Sequence, residues 1–207
     1  QFVHEIVTAL ASNFHQLAFR LFLQCAQTAD ACHFEAISYE FISQAFILYE
    51  DEMGADSKAQ CEALYIMIGT LLTCQQLTQD NYDTLITKTT QYAAKLLKKA
   101  DQCSLVATSA HLFWPSDSTK QDGARVLECL QRSLKIADVC GSNLALFVDL
   151  LDHYLFFYQN KTPQITAQYL SGLKALIKEH LEQTDDAGSV AVHYESTLKH
   201  LETLATI

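Results

Sequence analysis

Almost nothing in this chain stops a helix. Two prolines and six glycines punctuate 207 residues, and no run alternates apolar and polar residues strictly enough for a half-buried strand. Proline breaks a helix by removing an amide donor and clashing with the preceding turn, glycine by the entropy it loses on ordering. A chain this poor in both is committed to helices joined by short turns. Many of these helices are also apolar around more than half their circumference. In Phe34–Met53, Ile37, Phe41, Ala45 and Leu48 form one row, and Ile42, Phe46 and Tyr49 form a second. Leu144–Gln159 is apolar almost all round, through Leu146, Phe147, Leu150, Leu151, Tyr154, Phe157 and Tyr158. A surface helix needs only one such stripe. A two-sided helix needs a neighbour on each side, which is the condition of the inner layers of a stacked helical array.

The same periodicity predicts Phe2–Ala11, Phe14–Ala31, and Lys58–Leu77 capped by Ser57. Gly54 is a stop signal ahead of that cap. Gly69, inside Lys58–Leu77, predicts close approach of a neighbouring helix, because glycine there costs about 1 kcal/mol relative to alanine. Thr78 or Asp80 opens Asn81–Lys99, with Leu85, Tyr92, Ala93, Leu96 and Leu97 as its stripe. Asp101 caps a short helix that Pro115 ends after Trp114, and a polar loop, Ser116–Gly123, follows. Ala124–Cys140 is again periodic, and Gly141 with Ser142 makes a stop and a restart. Thr162 followed by Pro163 reads as a helix start. The last two helices, Pro163–Gln183 and Val190–Ala205, carry a single stripe each, the pattern of a capping repeat. Pairs begin near residues 33, 79, 120 and 163, at steps of about 41–46, close to the ~40–47 of HEAT and armadillo units and longer than the ~34 of tetratricopeptide units. The expected fold is all-α: a HEAT-like α-solenoid of about ten antiparallel helices in hairpin pairs. Residues 1–207 read as one solenoid fragment, begun inside helical pattern and cut from something longer, with 163–207 as capping helices.

Charge and composition narrow the function. Net charge is −10, and the first 57 residues hold eight acids against Arg20 alone. Such a surface repels phosphate backbones and anionic lipid, so no nucleic-acid or direct membrane partner is expected. Tyr65–Leu72 and Leu144–Val148 are the longest apolar runs and fall far short of a membrane span. Seven cysteines, with no C-x-x-C pair, read as buried thiols in a reducing compartment. Glu50-Asp51-Glu52 ends a helix, where acids oppose the helix dipole; this hints at a surface kept for an outside partner. Asp185-Asp186 reads as solvated charge.

Chemistry is absent from the motifs. His4-Glu5 lacks a second histidine four residues on, and Cys32-His33 has no companions at zinc spacing. His111, His153, His180 and His200 sit in aromatic or amphipathic helices and read as structural. There is no glycine-rich phosphate loop and no nucleophile elbow. No catalytic residue, metal or cofactor is expected. The unusual cluster is Ala110-His111-Leu112-Phe113-Trp114-Pro115, which holds the only tryptophan. Two readings stay open for it: an aromatic plug between layers, or an interface anchor, since tryptophan and its neighbours at a helix end are common hot spots.

Several separated blocks also carry a resemblance. Tyr39–Gln60 (YEFISQAFILYEDEMGADSKAQ), Ala93–Gln102 (AAKLLKKADQ), Ala110–Trp114 (AHLFW), Val126–Cys140 (VLECLQRSLKIADVC) and Phe147–Tyr158 (FVDLLDHYLFFY), with Phe19–Asp30 (FRLFLQCAQTAD) before them, closely resemble, in order, the C-terminal region of the large retromer subunit family, vacuolar protein sorting-associated protein 35. The resemblance spans about residues 1–183, and the stretch after Leu181 departs from the family's pattern. It implies a non-catalytic scaffold whose solenoid cradles a subunit of metallophosphoesterase fold, vacuolar protein sorting-associated protein 29, in a coat that sorts cargo from endosomes to the Golgi or plasma membrane. It implies a cytoplasmic protein, peripheral on the endosomal membrane through other coat proteins, with self-association through the C-terminal end. Carried onto this sequence, it points to His111, Leu112, Phe113 and Trp114 as partner-facing, with Lys98, Lys99 and Asp101 at the neighbouring turn. Leu112 and one of the two aromatics then also serve the core. Lys98-Lys99 would steer an acidic patch, though exposed pairs are worth only about 0–1 kcal/mol each. Two other functional classes remain beside it: a helical adaptor for peptide motifs, with a narrow apolar groove, and a helical enzyme or metal-binding domain using cysteine and histidine.

Overall fold

The computed structural model describes residues 2–54, 56–141, 143–183 and 188–205. Ser142 and the Asp185-Asp186 pair, singled out above, lie outside these. Among the described residues the protein is all-α, with ten α-helices, no strand, and antiparallel pairs of the α-solenoid class. The helices are α1 (Phe2–Ala11), α2 (His15–Ala31), α3 (Glu35–Glu52), α4 (Ser57–Thr73), α5 (Gln79–Ala93), α6 (Lys99–Ser109), α7 (Gly123–Val139), α8 (Leu144–Gln159), α9 (Ala167–Glu182) and α10 (Gly188–Ala205). They fall into two compact units. One is Gln1–Lys98 with His111–Gln121, and the other is Lys99–Ala110 with Asp122–Ile207.

In the first unit α2 packs against α1, α3 and α4, and α4 against α5. Burial of Ala18, Phe19, Phe22, Leu23 and Ala26 on α2 meets Ile42, Ala45, Phe46 and Tyr49 on α3. The α2–α3 turn is closed by His33 in the left-handed conformation (φ 60°). Phe34 N–H donates to Ala29 O and His33 N–H to Asp30 O, the pair of bonds that satisfies the last carbonyls of a helix. Two carboxylates then hold the segment after α4. Asp30, only 5% exposed, accepts from the amides of Gln75 and Gln76 at 2.8 and 2.9 Å. Glu35 accepts from Thr78 and from the Asn81 side chain, and these bonds hold its carboxyl below the ordinary glutamate range. These acids explain why α4 ends at Thr73 and not at Leu77. The chain leaves the helix to put amides on Asp30.

Several expectations change here. Asp56, not Ser57, caps α4, accepting from Lys58 and Ala59; an aspartate one residue earlier reaches the second and third amides of the helix. Among the described residues nothing lies within 4 Å of where a Gly69 Cβ would stand, so no described helix approaches closely there. Glu50 is engaged internally. It accepts from the Tyr92 hydroxyl and pairs with Lys88 at 3.0 Å, and the tyrosine bond is the main reason its carboxyl is held low. The acids ending α3 are therefore not simply a surface held open for a partner. α5 ends at Ala93, so Leu97 leaves the predicted stripe and is 89% exposed.

In the second unit α8 is the hub, packed on α6, α7, α9 and α10. That is why it is apolar all round: Leu144, Leu146, Phe147, Val148, Leu150, Leu151, Tyr154, Leu155 and Phe157 are all buried, each worth up to about 1.5–3 kcal/mol. His180 stacks on Phe147 at 5.0 Å and Tyr169 on Tyr154 at 5.6 Å. Asp122 caps α7, and Gly141 at φ 67° closes it. Thr162 does not start α9. Its amide donates to Phe157 O, with Lys161 left-handed at φ 56°, so the residue finishes α8, and Thr166 precedes Ala167 as the start of α9. The Thr162 side chain is buried, and its hydroxyl has no partner among the described residues. α9 buries Leu170, Leu173 and Ile177, a one-sided spacing as its sequence stripe requires. Asp152 joins α8 to α10 by accepting from Thr197 Oγ1 at 2.7 Å and meeting His193 Nε2 at 2.7 Å.

Candidate partner-binding surface

The aromatic segment follows α6, whose helical turns tighten into a 3-10 turn over Ala110–Phe113. Trp114 N–H donates to His111 O, at the end of that turn. Pro115 has no amide to continue it. The chain then runs through Ser116–Asp117 into a second short 3-10 turn, Ser118–Lys120, capped by Asp117. Gln121 Nε2 closes the loop on Pro115 O at 2.8 Å.

Burial sorts the four aromatic-segment residues. Leu112 is 0% and Phe113 2% exposed, while His111 and Trp114 are half-buried. The first two are packed inside the protein, so they hold the turn and do not present it. Outward presentation rests on His111 and Trp114. This merges the two readings of the cluster: half of it is plug and half is accessible. Lys98 is exposed in the bend between α5 and α6 and belongs to the same compact unit as His111–Trp114. Lys99 and Asp101 belong to the other unit. Lys99 opens α6, and its Nζ donates to Gln102 Oε1 at 2.9 Å. Asp101 is half-buried in the first turn of α6, where a negative charge favours the helix dipole. Leu97, beside Lys98, is an accessible apolar side chain that sequence periodicity placed in a helix stripe. The early end of α5 at Ala93 releases it, and no local sequence signal marks that end.

Elsewhere in the first unit, α1, α2 and α3 form an open groove of about 980 Å³, lined by Val3, His4, Cys25, Ala29, Ile37 and Phe41, among others. It is largely apolar. Its His4 ring leans on Phe22 and Phe41 at 6.1 and 5.9 Å. Among the described residues no group of three histidine, cysteine, aspartate or glutamate side chains is placed to hold a metal ion. All seven cysteines are thiols. Burial pushes Cys74 up to about 11 and Cys103 and Cys129 up to about 12. A thiol that resists ionisation is a poor nucleophile and a poor ligand. No described helix is long and apolar enough to cross a membrane.

A family model described as vacuolar protein sorting-associated protein 35 matches residues 1–180. The chain is 47% identical over 214 residues to vacuolar protein sorting-associated protein 35A of Arabidopsis thaliana, covering 98% of the chain and 27% of that protein. It is 40% identical over 191 residues to vacuolar protein sorting-associated protein 35 of Schizosaccharomyces pombe, covering 87% and 23%. To the Dictyostelium discoideum protein of the same name it is 32% identical over 206 residues, covering 97% and 26%. The chain spans about a quarter of the length of these curated relatives.

Proposed function

We propose, from a chain that belongs to the vacuolar protein sorting-associated protein 35 family, that it is a scaffold segment of the retromer coat and holds the metallophosphoesterase-fold subunit, vacuolar protein sorting-associated protein 29. On this reading it is not an enzyme. It works from the cytoplasmic face of endosomes in retrograde and recycling transport, and reaches the membrane through other coat proteins. Residues 1–207 act as one solenoid fragment, with 163–207 as the closing layer and a surface for self-association.

One observation carries the choice of site. In the family-like block Ala110–Trp114, His111 and Trp114 are half-buried and flank the buried Leu112 and Phe113. Rigid aromatic anchors cost little entropy on binding and dominate interfaces of ordinary size. Lys98, with Leu97 beside it, adds a cation and an apolar contact. The resemblance also points to Lys99 and Asp101, at the start of α6, as partner-facing, while Leu112 and Phe113 support the aromatic segment from within. A pull-down with purified vacuolar protein sorting-associated protein 29 tests the reading. Folded wild type binds, and His111→Arg, which puts a bulky cation at the anchor, binds at least tenfold more weakly. Failure of folded wild type to bind sinks the partner, and equal binding by the variant sinks the site.

The adaptor reading is favoured by one feature, the apolar α1–α3 groove. Ile37→Glu would charge it. Loss of a peptide ligand in that variant, with partner binding intact, would support an adaptor role there.

A further inference from the structure

We propose that Tyr82 and Lys120 are positioning residues that fix His111–Trp114 in the conformation a partner meets; this rests on the partner reading above. Tyr82, near the start of α5, is 2% exposed, and its hydroxyl donates to the Leu112 carbonyl at 2.8 Å. The carbonyls of the tight turn lose their helical donors when Pro115 ends it, since proline has no N–H to give. Tyr82 supplies the missing donor for Leu112. At the far end of the same loop, the Lys120 side chain is only 10% exposed. Its ammonium donates to Leu77 O at 2.8 Å, lies 5.4 Å from the Tyr82 ring centroid, and stands 3.7 Å from Asp117. One tyrosine is thereby gripped twice, by Leu112 at its hydroxyl and by Lys120 on its face.

A lysine taken out of water loses hydration that one carbonyl, one exposed carboxylate and an aromatic face only partly replace. A lysine placed for solubility would stay in water. What the burial secures is geometry. It pins residue 120 to the α4–α5 turn while Tyr82 pins residue 112, and Trp114 lies between the two anchor points. Gln121 bonding to Pro115 O tightens the same interval. These contacts fall on irregular backbone, not on the helical core, so they act on the shape of the segment.

The test compares affinities for purified vacuolar protein sorting-associated protein 29, well below the melting temperature, for wild type, Lys120→Met, Lys120→Arg, Tyr82→Phe, Trp114→Ala and the Lys120→Met/Trp114→Ala double variant. Lys120→Met and Tyr82→Phe each weaken binding about tenfold, about 1.4 kcal/mol, and Lys120→Arg, which keeps the charge and donors, restores most of it. In the Trp114→Ala background Lys120→Met changes nothing further, because its effect runs through Trp114. A general loss of stability would instead weaken both backgrounds alike, and that additivity overturns the proposal, as does unchanged affinity in Lys120→Met. If wild type itself fails to bind, the partner reading falls, and amide exchange judges the positioning alone. Lys120→Met must then speed exchange over residues 111–119 and leave α2 and α3 unchanged; unaltered exchange overturns it. Tyr82→Phe, nearly isosteric, carries both measurements should Lys120→Met not fold.

Discussion

Asp30 offers the sharpest test of how this chain is held together. An acid in the last turn of a helix sits against the negative end of the dipole, and charge counting assigns it to a solvated face. The structure buries it and sets the Gln75 and Gln76 amides on its two oxygens at 2.8 and 2.9 Å. Hydrogen bonds to a charged acceptor contribute about 1.5–3 kcal/mol each. Asp30→Ala removes two of them and strands two amides. It also relieves a buried charge and an unfavourable dipole contact, which returns part of the loss. The net is about 3 kcal/mol, and at about 2–4 °C per kcal/mol for a chain of this length the melting temperature falls by about 6–12 °C. Asp51→Ala, an exposed acid near the end of α3, is the control and stays within about 0.5 kcal/mol of wild type. Thermal unfolding followed by far-ultraviolet circular dichroism at pH 7, with urea midpoints at constant slope, reads both. If Asp30→Ala melts no lower than Asp51→Ala, the carboxylate is not what ends α4, and the explanation of that helix boundary fails.

Asp56→Ala costs about 1 kcal/mol and Asp56→Asn only a few tenths, because asparagine caps nearly as well; urea midpoints separate the two. Thr162→Val is neutral or stabilising, since it deletes a buried hydroxyl that has no partner among the described residues, whereas a capping threonine would lose about 1 kcal/mol in the same melt. Alkylation at pH 8 modifies exposed Cys32 first and leaves Cys74, Cys103 and Cys129 protected until the protein unfolds; mass spectrometry of timed samples shows the order, and early modification of Cys103 would contradict the packing of α6.

Much of the fold is legible wherever a helix is defined by its own side chains. Phe2–Ala11 and Leu144–Gln159 have the boundaries that their periodicity requires, and the all-round apolarity of α8 reports its position as a hub. The failures fall at helix ends, and one of them is set by a partner far along the chain. α4 ends early because Asp30, some 45 residues back, takes its trailing amides. Thr162 closes α8 because its amide is needed by Phe157 O, although its hydroxyl and Pro163 spell a helix start. Leu97 looks like stripe until α5 stops at Ala93. The segment Ala110–Trp114 stands out in the sequence as a block, but which of its side chains are buried does not, because a 3-10 turn changes which of them point inward. Lys120 was hidden altogether, since a lysine in a polar loop carries no local sign that a tyrosine ring lies beneath it.

The central claim is that this helical stack grips a globular neighbour through the edge marked by His111 and Trp114. Hydrogen exchange on the chain, alone and saturated with vacuolar protein sorting-associated protein 29, tests it most directly. The account predicts new protection over residues 97–98 and 111–115, with the α1–α3 groove unchanged. Protection confined to α1–α3, or none at all with a folded chain and a folded partner, would contradict it.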